Sequence, residues 1–167
     1  LWKGLGVVLL IGGLALLLGM LAGSRNLLQP LDVFKGGGVA MAAEQKGLAF
    51  EKVKDVAELD ARLAAARADG RAVMLDFYAD WCVSCKEMER FTFADERVRA
   101  RLKNVVLLQA DVTANNEDDK ALMRRFELFG PPAILFFDRN GKELADYRVP
   151  GYQDAVQFLN TLGNTLK

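Results

Sequence analysis

The sequence predicts an α/β domain with a mixed central sheet and helices on both faces, preceded by one transmembrane helix. Three observations predict it. Residues 72–78, 105–110 and 133–137 are short, nearly unbroken apolar runs, the pattern of strands covered on both faces. Between them lie stretches with capping residues and apolar positions at helical spacing. Ahead of them, residues 4–23 carry no charge at all.

In chain order, Gly4 to Gly23 comes first. As a helix, about 20 residues rising ~1.5 Å each match the ~30 Å of a bilayer's hydrocarbon core. Trp2 stands where an interfacial aromatic would. The alternative is a secretory signal peptide, whose apolar region runs only about 7–15 residues. Orientation is barely encoded, because Lys3 on one side faces Arg25 and Lys35 on the other. Residues 1–23 are therefore read as a transmembrane helix. Residues 24–46, with Gln29-Pro30 and Gly36-Gly37-Gly38, are read as a linker, and residues 47–167 as the folded domain. The chain opens on Leu1 rather than Met, which predicts a piece of a longer polypeptide or a processed product.

Within the domain, Leu48 to Val53 predicts an edge strand. Asp55 caps a helix with Glu58 at its third position; Val56, Leu59, Leu63 and Ala66 mark its inner face, and Gly70 closes it. Ala72 to Tyr78 reads as a central strand. A helix opens at Cys82, and Asp95 to Leu102 is helical again after a break near residues 92–94. Val105 to Ala110 is the next buried strand. Asn116 caps a helix with Glu117, Asp118 and Asp119 in its first turn and Arg124 and Arg125 near its end, matching the macrodipole. Gly130-Pro131-Pro132 stops it. Ala133 to Phe137 is a strand, Arg139-Asn140-Gly141 a hairpin turn and Glu143 to Val149 the partner strand. Asp154 to Leu166 is a final amphipathic helix. Early strands joined through helices are expected to run parallel, and the late hairpin antiparallel.

Composition narrows the chemistry. The 167 residues include 22 Lys and Arg against 22 Asp and Glu, and no basic run suggests a nucleic-acid footprint. There is no histidine, so catalysis by a Ser-His-Asp or Cys-His arrangement is absent from this chain. Structural zinc takes four Cys or His ligands, and the chain has two cysteines. No cofactor and no metal are expected beyond the cysteine pair itself.

Those two cysteines, Cys82 and Cys85, lie in Asp76-Phe77-Tyr78-Ala79-Asp80-Trp81-Cys82-Val83-Ser84-Cys85-Lys86. In helical geometry they fall within disulfide reach. Cys82, at the helix start, feels the unpaired N–H groups that favour a thiolate. Cys85, inside the first turn, is expected to be more buried. The pair then works by exchange: Cys82 attacks a partner disulfide and Cys85 resolves the mixed disulfide. Asp76 interrupts an apolar strand, so burial is expected to raise its pKa and let it relay a proton to or from Cys85. Glu89, two turns beyond Cys82, adds a like charge. Together they are expected to hold Cys82 less ionised than the dipole alone would. The bland readings are a half metal clamp for the cysteines, a solvated strand-end acid for Asp76 and an ordinary exposed acid for Glu89. Trp81 is core or the rim of a docking surface. Pro132, before a strand, is a candidate cis residue, although X-Pro bonds in folded proteins are cis in only about 5–6% of cases.

These residues resemble thioredoxin-fold proteins. The Asp76–Lys86 stretch, Gly130-Pro131-Pro132-Ala133-Ile134-Leu135-Phe136-Phe137 and the strand order carry that resemblance. With Glu87-Met88-Glu89, Thr92-Phe93, Leu107 to Asn115 and Leu28-Gln29-Pro30-Leu31, the chain is similar to the C-terminal domains of the DsbD family of bacterial transmembrane thiol:disulfide interchange proteins. The resemblance implies a protein-disulfide reductase domain, held at the inner membrane by residues 4–23 and facing the periplasm. Electrons would arrive from a membrane core of the same protein and leave to its N-terminal periplasmic domain, and from there to disulfide isomerases and cytochrome c maturation proteins. It implies that Asp76 and Glu89 tune the attacking cysteine and that Pro132 is a cis-proline facing it. Pro131 departs from the family, which usually has an N–H at that position; docking would lean instead on apolar contact with Trp81 and Val83. Two alternatives remain open: a tethered thioredoxin serving cytochrome c maturation directly, and a module binding Cu(I) through two thiolates.

Overall fold

The computed structural model describes residues 48–166. The expected transmembrane helix and linker, residues 1–46, lie outside the described residues, and among those described no helix is long and apolar enough to cross a membrane.

The domain is a five-stranded sheet in the order β1-β3-β2-β4-β5. Its elements are β1 (Glu51–Val53), α1 (Val56–Ala68), β2 (Val73–Tyr78), α2 (Val83–Glu87), α3 (Glu96–Leu102), β3 (Val106–Asp111), α4 (Glu117–Arg125), β4 (Ala133–Phe137), β5 (Val149–Pro150) and α5 (Ala155–Thr165). A π-helical turn, Met88–Thr92, continues α2. Strands β1, β3 and β2 run parallel, as expected of strands joined through helices. Strand β4 lies antiparallel to β2 although α4 precedes it; the loop through Pro132 turns the chain back along the sheet. The expected edge position of β1 and the central position of β2 both hold.

Two expectations need correction. The first strand, expected over residues 48–53, forms only over Glu51–Val53, because Leu48 and Phe50 turn in to pack on the core of Met74 and Phe93. Residues 143–149 do not form a continuous strand. Phe137 and Glu143 make an isolated bridge, a 3-10 turn occupies Ala145–Tyr147, and pairing with β4 resumes only at Val149 and Pro150. Pro150 has no N–H to donate, which suits a strand only at an edge.

Caps explain the helix starts. Asp55 accepts from the Glu58 amide, Asp95 from Arg97, and Asn116 and Asp154 each form a reciprocal capping box. Gly70, at φ 63°, ends α1 in the left-handed region that glycine enters without cost.

Side chains alternate across β2, so the sheet buries apolar groups on both faces. On one face Val73, Leu75 and Phe77 pack with Leu59 and Ala66 of α1 and Leu122 of α4. On the other, Met74, Ile134 and Phe136 pack with Val98 and Leu102 of α3 and Phe158 and Leu162 of α5. The Phe93 ring meets Phe50 at a tilt and Phe158 edge-on, with centroids 5.6 and 5.7 Å apart. Each fully buried large apolar side chain contributes roughly 1.5–3 kcal/mol. The helix after β2 joins the two cores: Cys85 packs in the first and Met88 in the second.

Candidate active site

Strand β2 ends at Tyr78, and Ala79, Asp80 and Trp81 turn the chain into α2. The Cys82 amide donates to the Ala79 carbonyl at 3.0 Å. Cys82 is itself the N-cap: its Sγ accepts from the Cys85 N–H at 3.1 Å. The two sulfurs are joined in a disulfide, with Cα atoms 5.3 Å apart. Both cysteines are buried, Cys85 the more so, and the Cys85 sulfur lies 4.0 Å from the Phe77 carbonyl oxygen.

Asp76 lies on β2, only 4% exposed. In register it sits between Gln109 on β3 and Ile134 on β4. The Gln109 amide donates to Asp76 Oδ2 at 3.0 Å. Burial pushes the Asp76 carboxyl up to about 7; the Gln109 hydrogen bond opposes that and the Glu89 charge adds to it. Glu89 sits in the π-helical turn. Glu89 is exposed to solvent, as the bland reading of it expected, yet desolvation by neighbouring atoms still raises its carboxyl, with Lys86 and Lys52 opposing and Asp80 adding. The structure thus brings Asp76 and Glu89 within electrostatic reach of each other. Among the described residues, neither carboxyl hydrogen-bonds to a sulfur.

Around the pair, Trp81 is 60% exposed and Val83 71%. The Trp81 indole N–H donates to the Thr113 carbonyl at 3.3 Å, so the ring is both tethered and presented to solvent. The Pro131–Pro132 bond is cis, as the family resemblance implied. Because Ala133 pairs with Phe77, Pro132 enters the sheet at the end of β2 from which the cysteine turn departs. The Pro132 carbonyl accepts from the Gly151 amide at 3.0 Å. Beside it the fully exposed Phe129 lines an apolar cavity with Leu128, Pro131 and Val149.

Three features escaped the sequence reading. Gln109, the partner of Asp76, interrupts an apolar strand just as Asp76 does, and that was the available signal. Thr113 is a hub: its hydroxyl accepts from the Asp80 amide at 2.9 Å and donates to Asp111 at 2.5 Å, and Lys52 salt-bridges Asp111 at 3.0 Å. Phe129 had no periodic signature in its loop.

Fold and site together define a thiol:disulfide oxidoreductase domain of the thioredoxin fold. A thioredoxin-like family model matches residues 55–139. A thiol:disulfide interchange protein DsbD from Ralstonia nicotianae is 54% identical over 98% of this chain and 27% of its own length. A DsbD from Yersinia pestis is 45% identical over 87% of this chain and 24% of its own. Among solved structures, the oxidised C-terminal domain of Neisseria meningitidis DsbD is 32% identical with a TM-score of 0.60, over 69% of this chain and 99% of that one. The chain belongs to the thioredoxin-like family and, within it, to the DsbD C-terminal domains. It spans about a quarter of the length of the curated relatives it matches.

Proposed function

We propose that this domain is the outward relay of a membrane thiol:disulfide interchange protein: it accepts two electrons from a membrane-embedded dithiol and delivers them to disulfides of periplasmic proteins. The observation that carries the reading is the asymmetry of the cysteine pair. Cys82 caps the helix between the exposed Trp81 and Val83, while Cys85 sits deeper against Phe77. In the reduced domain the Cys82 thiolate attacks a partner disulfide, forming a mixed disulfide and releasing one partner thiolate, which takes up a proton. Cys85 loses its proton and attacks the Cys82 sulfur. The Cys82–Cys85 bond forms, the second partner thiolate leaves and is protonated, and the partner gains two electrons. A reduced donor runs the same steps backwards to reload the pair.

Asp76 and Glu89 tune this exchange in our reading. A carboxyl that titrates near neutrality takes up the Cys85 proton and returns it, and its charge opposes the Cys82 thiolate. Trp81, Val83, Pro131 and Pro132 form the docking rim. Residues 4–23 tether the domain to the bacterial inner membrane with the fold in the periplasm; the first partners are the N-terminal periplasmic domain and the membrane core of the same polypeptide. The names of the relatives support this reading.

A glutathione redox titration of Cys82 and Cys85, paired with transfer from the reduced domain to an oxidised N-terminal domain, tests it. A reducing potential and stoichiometric transfer are expected. A potential close to that of a strong disulfide donor, about −120 mV, would overturn the proposed direction.

A further inference from the structure

Beyond the cysteine turn, the helix changes pitch. The Phe93 amide bonds the Met88 carbonyl at 2.8 Å, five residues back, and this π-helical turn leaves Thr92 wholly buried. Its hydroxyl donates to the Gln153 carbonyl at 2.6 Å. The Gln153 amide in turn reaches Met88 Sδ at 3.3 Å. Both polar backbone groups of Gln153 are therefore held by one turn of the cysteine-bearing helix. Two residues earlier, the Gly151 amide donates to the Pro132 carbonyl at 3.0 Å, and Val149 and Pro150 pair with Ile134 and Ala133. A short strut, residues 149–153, thus connects the helix of Cys82 and Cys85 to the loop of Pro132. A valine in place of Thr92 would fill the same core space; the hydroxyl adds only the grip on Gln153. Turns of this π type gather at functional sites.

We propose that Thr92 is a positioning residue for thiol–disulfide exchange: through Gln153 its hydroxyl sets the cysteine helix against the Pro132 loop, so that a protein disulfide laid beside Pro132 meets the Cys82 sulfur. This rests on the reductase reading above. A small reagent needs only the sulfur, whereas a protein disulfide must fit the sulfur and the loop together. The two kinds of probe therefore separate positioning from reactivity.

The test compares the full 167-residue chain with Thr92→Val and Thr92→Ser. Insulin reduction, with dithiothreitol as electron source, gives kcat and KM; alkylation of reduced Cys82 by iodoacetamide gives intrinsic reactivity. Thr92→Val is expected to lose at least fivefold in kcat/KM, mostly through KM, while alkylation changes less than twofold and Thr92→Ser stays within twofold of the starting chain. Amide exchange at Gly151 is expected to rise about tenfold in Thr92→Val alone, with Ala110 in β3 unchanged. Equal insulin kinetics in Thr92→Val, a parallel fall in alkylation, or a Thr92→Ser variant as slow as Thr92→Val would overturn the proposal. If the unsubstituted chain leaves insulin intact, the reductase reading falls and Gly151 exchange alone decides the strut; unchanged exchange there sinks it.

Discussion

Asp76 and Gln109 face each other across β2 and β3, and among the described residues a 3.0 Å hydrogen bond from the Gln109 amide is the one polar contact holding a carboxyl only 4% exposed. Burial, the larger effect, raises the carboxyl to about 7 despite that bond.

Stability should therefore fall with rising pH over a defined window. Unfolded, Asp76 ionises near its ordinary value of 3.8; folded, it keeps its proton until about 7. Between those limits the native state binds more protons than the unfolded one, so unfolding free energy drops as pH rises and levels off above about 7. At about 1.4 kcal/mol per unit, the loss amounts to a few kcal/mol. Asp76→Asn should flatten this slope: more stable than the unsubstituted domain by about 2 kcal/mol or more at pH 8, and equal at pH 4. Urea unfolding of the oxidised domain from pH 4 to 9 measures both curves. Equal stability at pH 8 would show that Asp76 ionises freely.

Removing either acidic charge should make Cys82 a better thiolate. Asp76→Asn and Glu89→Gln are each expected to lower its thiol pKa by about half a unit or more, read from the pH dependence of thiolate absorbance near 240 nm. Glu89→Gln should also bring the Asp76 carboxyl down, since the Glu89 charge helps raise it. A thiol pKa unmoved in both variants would remove the tuning role.

The two cysteines should fail differently. Cys85→Ser is expected to accumulate a mixed disulfide through Cys82, visible as a covalent adduct on a non-reducing gel, because the resolving sulfur is gone. Cys82→Ser should form no adduct and lose at least a hundredfold in exchange rate. Adduct formation through Cys85 at a comparable rate would reverse the assigned order of attack.

Thr113→Val tests the tether behind the cysteine turn. It deletes the hydroxyl that links the Asp80 amide to Asp111 and should cost about 1–3 kcal/mol in urea unfolding, since two hydrogen bonds are lost and one of them is to a carboxylate. Because the Trp81 indole bonds the Thr113 backbone carbonyl, the ring should keep part of its restraint. Its fluorescence anisotropy should fall by less than in a variant with residues 111–113 replaced by glycine. An equal fall would show that the hydroxyl alone restrains the ring.

Local chemistry was the legible part of this fold. Asp55, Asn116 and Asp154 announce helix starts because a capping side chain acts on its own neighbours. The central strand announces itself because burial on both faces removes alternation. The cysteine turn, with Trp81 and Val83 beside it, was legible for the same local reason. What stayed hidden is long-range. Nothing near Gln109 says that it will lie beside Asp76, 33 positions away, because register is settled by packing of the whole sheet. The strand expected over residues 143–149 failed because apolar alternation there cannot report a 3-10 turn. Thr92 looks like any polar residue at a helix break until Gln153 arrives from the far end of the chain.

Cys82 does two jobs with one atom. Its sulfur closes the first turn of α2 by accepting the Cys85 N–H, and the same sulfur is remade each time the domain works. A thiolate accepts that bond strongly, and a sulfur tied to another sulfur accepts it weakly. In the oxidised domain the same turn is also closed covalently through the bond between the two sulfurs, so reduction removes that covalent closure and leaves the strengthened hydrogen bond to hold the helix start, and the fold's first helical turn here stays closed in both states of the carrier.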